Sequence, residues 1–267
     1  MNVTTVVYFT FYFVLGTAIG SFLNVWSRRL LRGKPPTGRS HCESCGRVLS
    51  PLDLIPILSF VFLRGRCRYC HKPLSWQYPL VEGFTGLLFA VLGVRSGFPV
   101  DVIGILLILS LLIASSTLVV VFVTDFFAQK IFDQVLWVGF FAAVIYRITV
   151  VFSLRLGFFS FVFDLLGALG FYLFLQLIRS ITRKKGLGDG DPLLGFVSAF
   201  LVGFPLLFVE IFLAFTLGGI VGTALVVARV RGLKDRIAFG PFLVVSVFAT
   251  LLFGGQIWVW YTNLLGF

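Results

Sequence analysis

The feature that most constrains this chain is a succession of long apolar runs separated by charged or Pro/Gly-rich breaks. A helix of about 20 apolar residues crosses the roughly 30 Å hydrocarbon core of a bilayer. Eight such runs predict eight transmembrane helices, at residues 6–26, 78–94, 102–124, 131–153, 156–178, 193–204, 206–228 and 241–263. With 58% hydrophobic and only 12% charged residues, the composition excludes an ordinary soluble domain. The sequence therefore predicts an all-α polytopic membrane protein.

The sixth and seventh runs need separate treatment because they are nearly continuous. The stretch from Leu193 to Ala228 is too long for one crossing, and the tripeptide at 203–205, Gly-Phe-Pro, is typical of a turn. We therefore divide it into two spans.

The distribution of Lys and Arg predicts the orientation. With eight spans, one side of the membrane holds nineteen Lys or Arg, in the loops 27–77, 125–130, 179–192 and 229–240. The other side holds Arg95 and Arg155. Because basic loops stay in the cytoplasm, we expect both termini outside. The net charge of +11 then reports topology and requires no nucleic-acid partner, although the basic loop 27–77 suits contact with anionic membrane lipid.

Four cysteines in the loop 27–77 form two C-x-x-C pairs separated by 21 residues, and they are Cys42, Cys45, Cys67 and Cys70. This spacing favours a tetrahedral Cys₄ zinc site in a small cytoplasmic, zinc-ribbon-like loop domain. Four protein ligands close the metal, so its role would be structural. The alternatives are two disulfides, which a reducing cytoplasm disfavours, or a redox pair, which would need a βαβ context.

Acidic residues within or beside the spans are the candidate functional groups, because a carboxylate at a bilayer is costly. The string Gly-Leu-Gly-Asp-Gly-Asp at 186–191 ends in Asp191, and the predicted topology places Asp125 at the same boundary although 66 residues separate the two. Alternating glycines would let another segment approach closely. Arg147 and Asp164 are expected to pair with each other, and Glu210 is expected to snorkel or to pair helices.

Several motifs together resemble the bacterial type IV prepilin peptidases. They are residues 16–25 (GTAIGSFLNV), 39–42 (RSHC), 52–56 (LDLIP), 65–67 (GRC), 78–82 (YPLVE) and the Gly/Asp string at 186–191. The resemblance runs from the first span to about residue 195, and the last spans share only their hydrophobic character.

The resemblance implies a GxGD-type aspartic protease of the bacterial inner membrane that cuts at the cytoplasmic face. The catalytic acids would be Asp125 and Asp191, although Asp189 also ends a shorter Gly-x-Gly-Asp motif. Type IV prepilins or pseudopilins would be the substrates. By resemblance alone, S-adenosylmethionine would methylate the new N-terminus, and no residue is assigned to it.

The implied domain organisation has three parts. Residues 1–26 form the first transmembrane helix, 27–77 the Cys₄ zinc loop domain, and 78–267 the transmembrane peptidase domain. No oligomeric state is predicted, because the Gly16-x-x-x-Gly20 pair suits either dimerisation or packing within the chain.

Two departures from the family pattern keep other functions open. Leu193 stands where the family usually has Lys, and Phe132 precedes Asp133 where it usually has Pro. A non-catalytic pilin or secretion assembly factor that retains the fold is therefore an alternative. A transporter would need inverted repeats, which are not evident. The presenilin and preflagellin peptidases share the GxGD chemistry but lack the Cys₄ loop.

Overall fold

The structure, a computed structural model, describes residues 2–183, 186–230, 232 and 237–266. Its described residues form α-helices and loops with two isolated β-bridges and no strand. The chain divides into two compact units, Met1–Asp101 and Val102–Phe267. The basic pair Lys184-Lys185 and residues 231 and 233–236 of the basic loop 229–240 lie outside the described residues.

The first unit is built on two long helices, α1 (Val3–Leu31) and α3 (Gln77–Ser96), which pack along each other. A Cβ added at Gly16 would lie 2.7 Å from the Thr85 carbonyl oxygen, and one at Gly20 would lie 2.9 Å from the Thr85 Cβ. The small-residue pair therefore serves packing within the chain. Between the helices lie a 3₁₀ turn (Pro51–Leu54) and a short helix, α2 (Leu58–Phe62).

The second unit contains six further helices, α4 (Val102–Ala128), α5 (Asp133–Ser153), α6 (Phe158–Ile181), α7 (Asp191–Val202), α8 (Leu207–Val227) and α9 (Gly240–Leu265). The short helix α7 packs against α5, α6, α8 and α9, whereas α4 packs against α5 and α9. Ten of the twelve residues of α7 are buried. The middle of this unit is therefore α7, and it begins at the Gly/Asp string.

Seven of the described helices are long and apolar enough to cross a membrane. The sixth predicted span differs, because α7 has twelve residues. At 1.5 Å per residue it rises about 18 Å, well short of the roughly 30 Å hydrocarbon core. It ends at Val202 because Gly203 takes a φ of 80°. The turn predicted at 203–205 is thus confirmed, and the predicted orientation of the chain stays a prediction, as do its three domain boundaries.

The predicted pairing of Arg147 with Asp164 is confirmed. Arg147 Nε lies 2.9 Å from Asp164 Oδ2, and both side chains are buried. The second carboxylate oxygen of Asp164 accepts the Phe204 N–H at 2.8 Å. The pair therefore joins α5 to α6 and also fixes the turn between α7 and α8.

Glu210 is fully buried, so it does not snorkel. Its Oε1 accepts a hydrogen bond from the Ser198 hydroxyl at 2.5 Å, which joins α8 to α7. Of the two roles expected for Glu210, the structure therefore shows the pairing of helices.

Candidate active site and metal centre

Asp125 lies in the last turn of α4, where a Val-rich apolar run ends. Its side chain is buried, and a Cβ added at Gly240 would lie 2.5 Å from its Oδ2. The start of α9 therefore lies so close to the carboxylate that a side chain at residue 240 would collide with it. That oxygen has no hydrogen-bond partner among the residues the structure describes.

Asp191 is the first residue of α7, and Pro192 follows it in the first turn, where a missing N–H costs nothing. The carboxylate is buried and accepts the Gly188 N–H at 2.6 Å. The neighbouring Gly190 leaves no room for a side chain, because a Cβ there would lie 2.6 Å from the Cβ of Ile131. The glycines of the string therefore allow close packing around the acid.

The structure brings Asp125 and Asp191 together within the second unit, and the two carboxylates interact electrostatically. Ile131 lies beside both segments, since its Cδ1 would be 3.4 Å from a Cβ at Gly240 and its Cβ lies against Gly190. Three helix ends, those of α4, α7 and α9, therefore converge on the acid pair. This matches the convergence expected from the parity of the spans.

The other two acids considered near this site have different environments. The Asp189 side chain is 87% exposed and forms an ion pair with Arg179. Asp133 is exposed in the first turn of α5, where a negative charge is favourable to the helix dipole. Neither has the burial of Asp125 and Asp191.

The sequence reasoning missed the contribution of Gly240 to the site. The dipeptide Gly240-Pro241 opens α9, and span parity would have placed that opening on the same side as Asp125. A Gly-Pro pair at the start of an apolar run was therefore an available signal, and it was not used.

Two buried carboxylates in one site are suited to acid–base chemistry. Two acids that share a site ionise one at a time, so a pair of this kind can hold one proton. The ionised member can activate a water molecule while the protonated member donates to a carbonyl oxygen. The unpaired Oδ2 of Asp125 offers one position for such a proton or water.

The four cysteines form a separate cluster in the first unit. All four Sγ atoms lie within 4.8 Å of one another, and Cys42 Sγ lies 3.8 Å from Cys70 Sγ. Zinc–sulfur bonds of about 2.3 Å in a tetrahedron place sulfur atoms about 3.8 Å apart. All four thiols are free. The cluster therefore fits a Cys₄ metal ion, and the disulfide reading is not what the structure contains.

The two C-x-x-C segments have the same backbone geometry. Gly46 N–H donates to Cys42 C=O at 2.9 Å, and His71 N–H donates to Cys67 C=O at 3.0 Å. Both donors have positive φ, 70° at Gly46 and 56° at His71. Each segment is thus a tight knuckle that aims two sulfur atoms at a common centre.

The thiols differ in how readily they ionise. Burial acts to raise the pKa of Cys42, but the N–H groups of Cys45 and Ser44, together with the thiols of Cys67 and Cys45, outweigh it and lower the pKa to about 7. The Lys72 N–H acts to lower the pKa of Cys70, but burial and the neighbouring cysteines raise it to about 11. A cation bound at the centre would displace the protons that remain.

Two acids support the loop around the cysteines. Asp53 accepts hydrogen bonds from the Ser50 hydroxyl at 2.8 Å and from Arg68 Nε at 2.6 Å, which ties the 3₁₀ turn to the second knuckle. Burial acts to raise the pKa of Asp53, but these bonds outweigh it and hold the pKa below its usual value. Glu82 accepts the Ile57 N–H at 2.7 Å, where φ is 60°. Both acids therefore have structural partners.

Two family models match consecutive parts of the chain. The bacterial peptidase A24 N-terminal domain matches residues 14–96, and the type IV leader peptidase family matches residues 112–223. Each match lies within one of the two compact units.

Similar proteins span nearly the whole chain. A prepilin leader peptidase/N-methyltransferase of Bacillus subtilis is 32% identical, over 94% of this chain and 97% of the relative. One of Aeromonas hydrophila is also 32% identical, over 97% of this chain and 95% of the relative. One of Myxococcus xanthus is 46% identical, over 39% of this chain and 31% of the relative. No solved structure matches the chain significantly.

Proposed function

The chain belongs to the prepilin leader peptidase/N-methyltransferase family, and from this membership we propose that it is a membrane-embedded aspartic endopeptidase. Its substrates are type IV prepilins or pseudopilins, from which it removes the basic leader. The observation that carries the proposal is that Asp125 and Asp191 are both buried where the ends of α4, α7 and α9 meet.

In the proposed reaction, Asp125 and Asp191 share one proton. The ionised carboxylate takes a proton from water as the oxygen attacks the scissile carbonyl, and the protonated one donates to the carbonyl oxygen. Collapse of the tetrahedral intermediate then transfers a proton to the departing amine. The Gly188 N–H bond to Asp191 supports orientation of that carboxylate, and the backbone of Gly240 limits where Asp125 can move.

The position of the acid pair supports cleavage at a membrane boundary. Asp125 lies three residues before the end of a helix of crossing length, and Asp191 begins α7 at the same boundary. Although it has only twelve residues, α7 carries the chain from that boundary to Arg147 near the other end of α5, where the Val202 carbonyl oxygen lies 3.4 Å from Arg147 Nη1. We propose that this boundary is the cytoplasmic face of the bacterial inner membrane, with both termini outside. A prepilin whose basic leader ends where its apolar segment begins would present its scissile bond at this face of the membrane.

Methylation of the new N-terminus is proposed from the names of the relatives alone. The first unit holds a cavity of about 320 Å³, but six basic and three acidic side chains line it. S-adenosylmethionine carries a sulfonium cation, and each acid of this lining already has a partner within the first unit. We assign the donor to no residue.

Zinc is the metal proposed for the four cysteines, which are Cys42, Cys45, Cys67 and Cys70. Bound zinc would supply a structural cross-link, because four thiolates leave no open coordination position. Gly46 and His71 close the two C-x-x-C turns, which direct the sulfur atoms toward the metal position. This centre is proposed to hold the loop and to take no part in cleavage.

The test is cleavage of a purified prepilin by full-length protein in membranes. Asp125→Asn and Asp191→Asn should each abolish the gel shift that marks leader removal, while the amount of protein in the membrane stays normal. Asp189→Asn is the matched control, because that acid is exposed. An inactive wild type that still binds prepilin would instead support the non-catalytic assembly factor.

A further inference from the structure

The cavity in the first unit lies where the C-terminal part of α1 meets the Cys₄ loop and the start of α3. The basic side chains in its lining are Arg28, Arg29, Arg32, Lys34, Arg68 and Lys72, and the acidic ones are Glu43, Asp53 and Glu82. Cys42 and Cys67 also line the cavity, so a zinc-bound Cys₄ centre would add net negative charge. The six basic side chains still exceed the acids and that centre together, which favours an anionic ligand.

The acids of the lining are already engaged inside the unit. Their partners are Arg28 and Arg32 for Glu43, Arg68 for Asp53, and the Ile57 N–H for Glu82. Arg29 donates to backbone carbonyls, at 2.9 Å for Gly38. Among the described residues Arg29, Lys34 and Lys72 have no carboxylate partner. Their positive charge is therefore available to a ligand.

One wall of the cavity is α2, the short helix of the loop. Phe60 and Leu63 line the cavity, whereas the side chains on the other face are exposed, Val61 by 62% and Phe62 by 80%. An apolar face of this kind on a loop is unfavourable in water and needs a cover.

The contacts of Ile57 fix the depth of α2. Its N–H is bound by Glu82, and its Cδ1 would lie 3.8 Å from a Cβ at Gly83. Glu82 is five residues into α3, which at 1.5 Å per residue is about 7.5 Å from the start of that helix. Interfacial helices bury their apolar faces about 5–10 Å into the boundary between headgroups and acyl chains. The helix α3 has crossing length, so a bilayer boundary at its start would place α2 at that depth.

An aromatic pair supports the same placement. The Phe60 and Trp76 rings lie 5.0 Å apart between centroids, and the Trp76 side chain is 71% exposed just before α3 begins. Tryptophan is enriched at the level of lipid headgroups. A boundary at the start of α3 would therefore meet the cavity, the apolar face and the tryptophan together.

We propose that this cavity binds the phosphate headgroup of an anionic phospholipid from the surrounding bilayer, with its acyl chains along the exposed face of α2. Arg29, Lys34 and Lys72 provide the uncompensated charge that the phosphate meets. The site is independent of the peptidase proposal, because every residue in it belongs to the first unit.

The test is native mass spectrometry of the full-length protein titrated with phosphatidylglycerol or phosphatidylcholine. Wild type should retain phosphatidylglycerol preferentially. Because each lysine near an anionic lipid contributes about 1 kcal/mol, Lys34→Gln/Lys72→Gln should weaken that binding roughly 30-fold. The control Lys130→Gln/Arg155→Gln removes two exposed charges from the second unit and should bind as wild type does.

Competition identifies the source of the phosphate. Glycerophosphoglycerol and inorganic phosphate should displace the lipid poorly, because they lack the chains that contact α2, and Val61→Ser/Phe62→Ser should weaken lipid binding. Displacement by inorganic phosphate at concentrations matching the lipid would reassign the cavity to a free anion. Equal affinity for phosphatidylcholine, an unaffected lysine variant, or displacement by S-adenosylmethionine would each overturn the proposal.

Discussion

Replacing Gly240 by alanine should disable the acid pair although both acids keep their identity. The new methyl carbon would lie 2.5 Å from Asp125 Oδ2, whereas carbon–oxygen contacts settle at about 3.3–3.6 Å. The carboxylate or the start of α9 must therefore move by roughly 1 Å. A displacement of this size at a catalytic group costs about 100-fold in rate, or about 2.7 kcal/mol in transition-state stabilisation.

The assay is kcat/KM for prepilin cleavage in membranes, with protein amount measured in parallel. Gly255→Ala is the matched control, because it lies in the same helix and a Cβ there meets nothing within 4 Å. It should cleave as wild type does. Activity of Gly240→Ala within threefold of wild type would refute the claim that this backbone positions Asp125.

Other consequences follow from contacts elsewhere in the chain. Purified wild type should carry one zinc ion per chain by elemental analysis, and Cys67→Ser should lose it and lower the unfolding temperature. Arg147→Met strands the buried Asp164 carboxylate and should destabilise the protein by about 3–5 kcal/mol in unfolding measurements, whereas Arg147→Met/Asp164→Leu should recover most of that loss. Asp53 has a lower pKa folded than unfolded, so its stabilisation is full above about pH 4 and is lost as pH falls through the folded pKa. The stability difference between wild type and Asp53→Asn should therefore shrink below pH 4; a constant difference would contradict this.

Much of the architecture was predictable because bilayer physics is strict. The lengths of the apolar runs alone predict seven of the helices, and clusters of charged residues mark where those helices end. Counting spans then placed Asp125 and Asp191 on one side, which is the geometry observed within the second unit. The spacing of the cysteines likewise anticipated their cluster, because a C-x-x-C knuckle fixes two sulfur atoms locally.

The parts that escaped prediction depend on contacts between distant segments. Hydropathy reports that residues 193–204 are apolar but not that α7 begins at Asp191 and is only twelve residues long. The approach of Gly240 to Asp125 is a tertiary contact, and the Gly-Pro pair indicates only that α9 opens on the same side as Asp125. The packing of α2 beside α3 was also missed, because a five-residue helix with four apolar side chains inside a basic loop is too short to register as a span.

The central claim is that Asp125 and Asp191 act as one catalytic unit. Its most direct test is kcat/KM for prepilin cleavage by Asp125→Asn, Asp191→Asn and the double variant, each at equal protein amount. When two groups act as one catalytic unit, removing either one removes the activity of both, so each single variant should be about as inactive as the double variant. The account would be contradicted if the fold-losses in kcat/KM of the two single variants multiplied in the double variant, or if a single variant retained substantial cleavage.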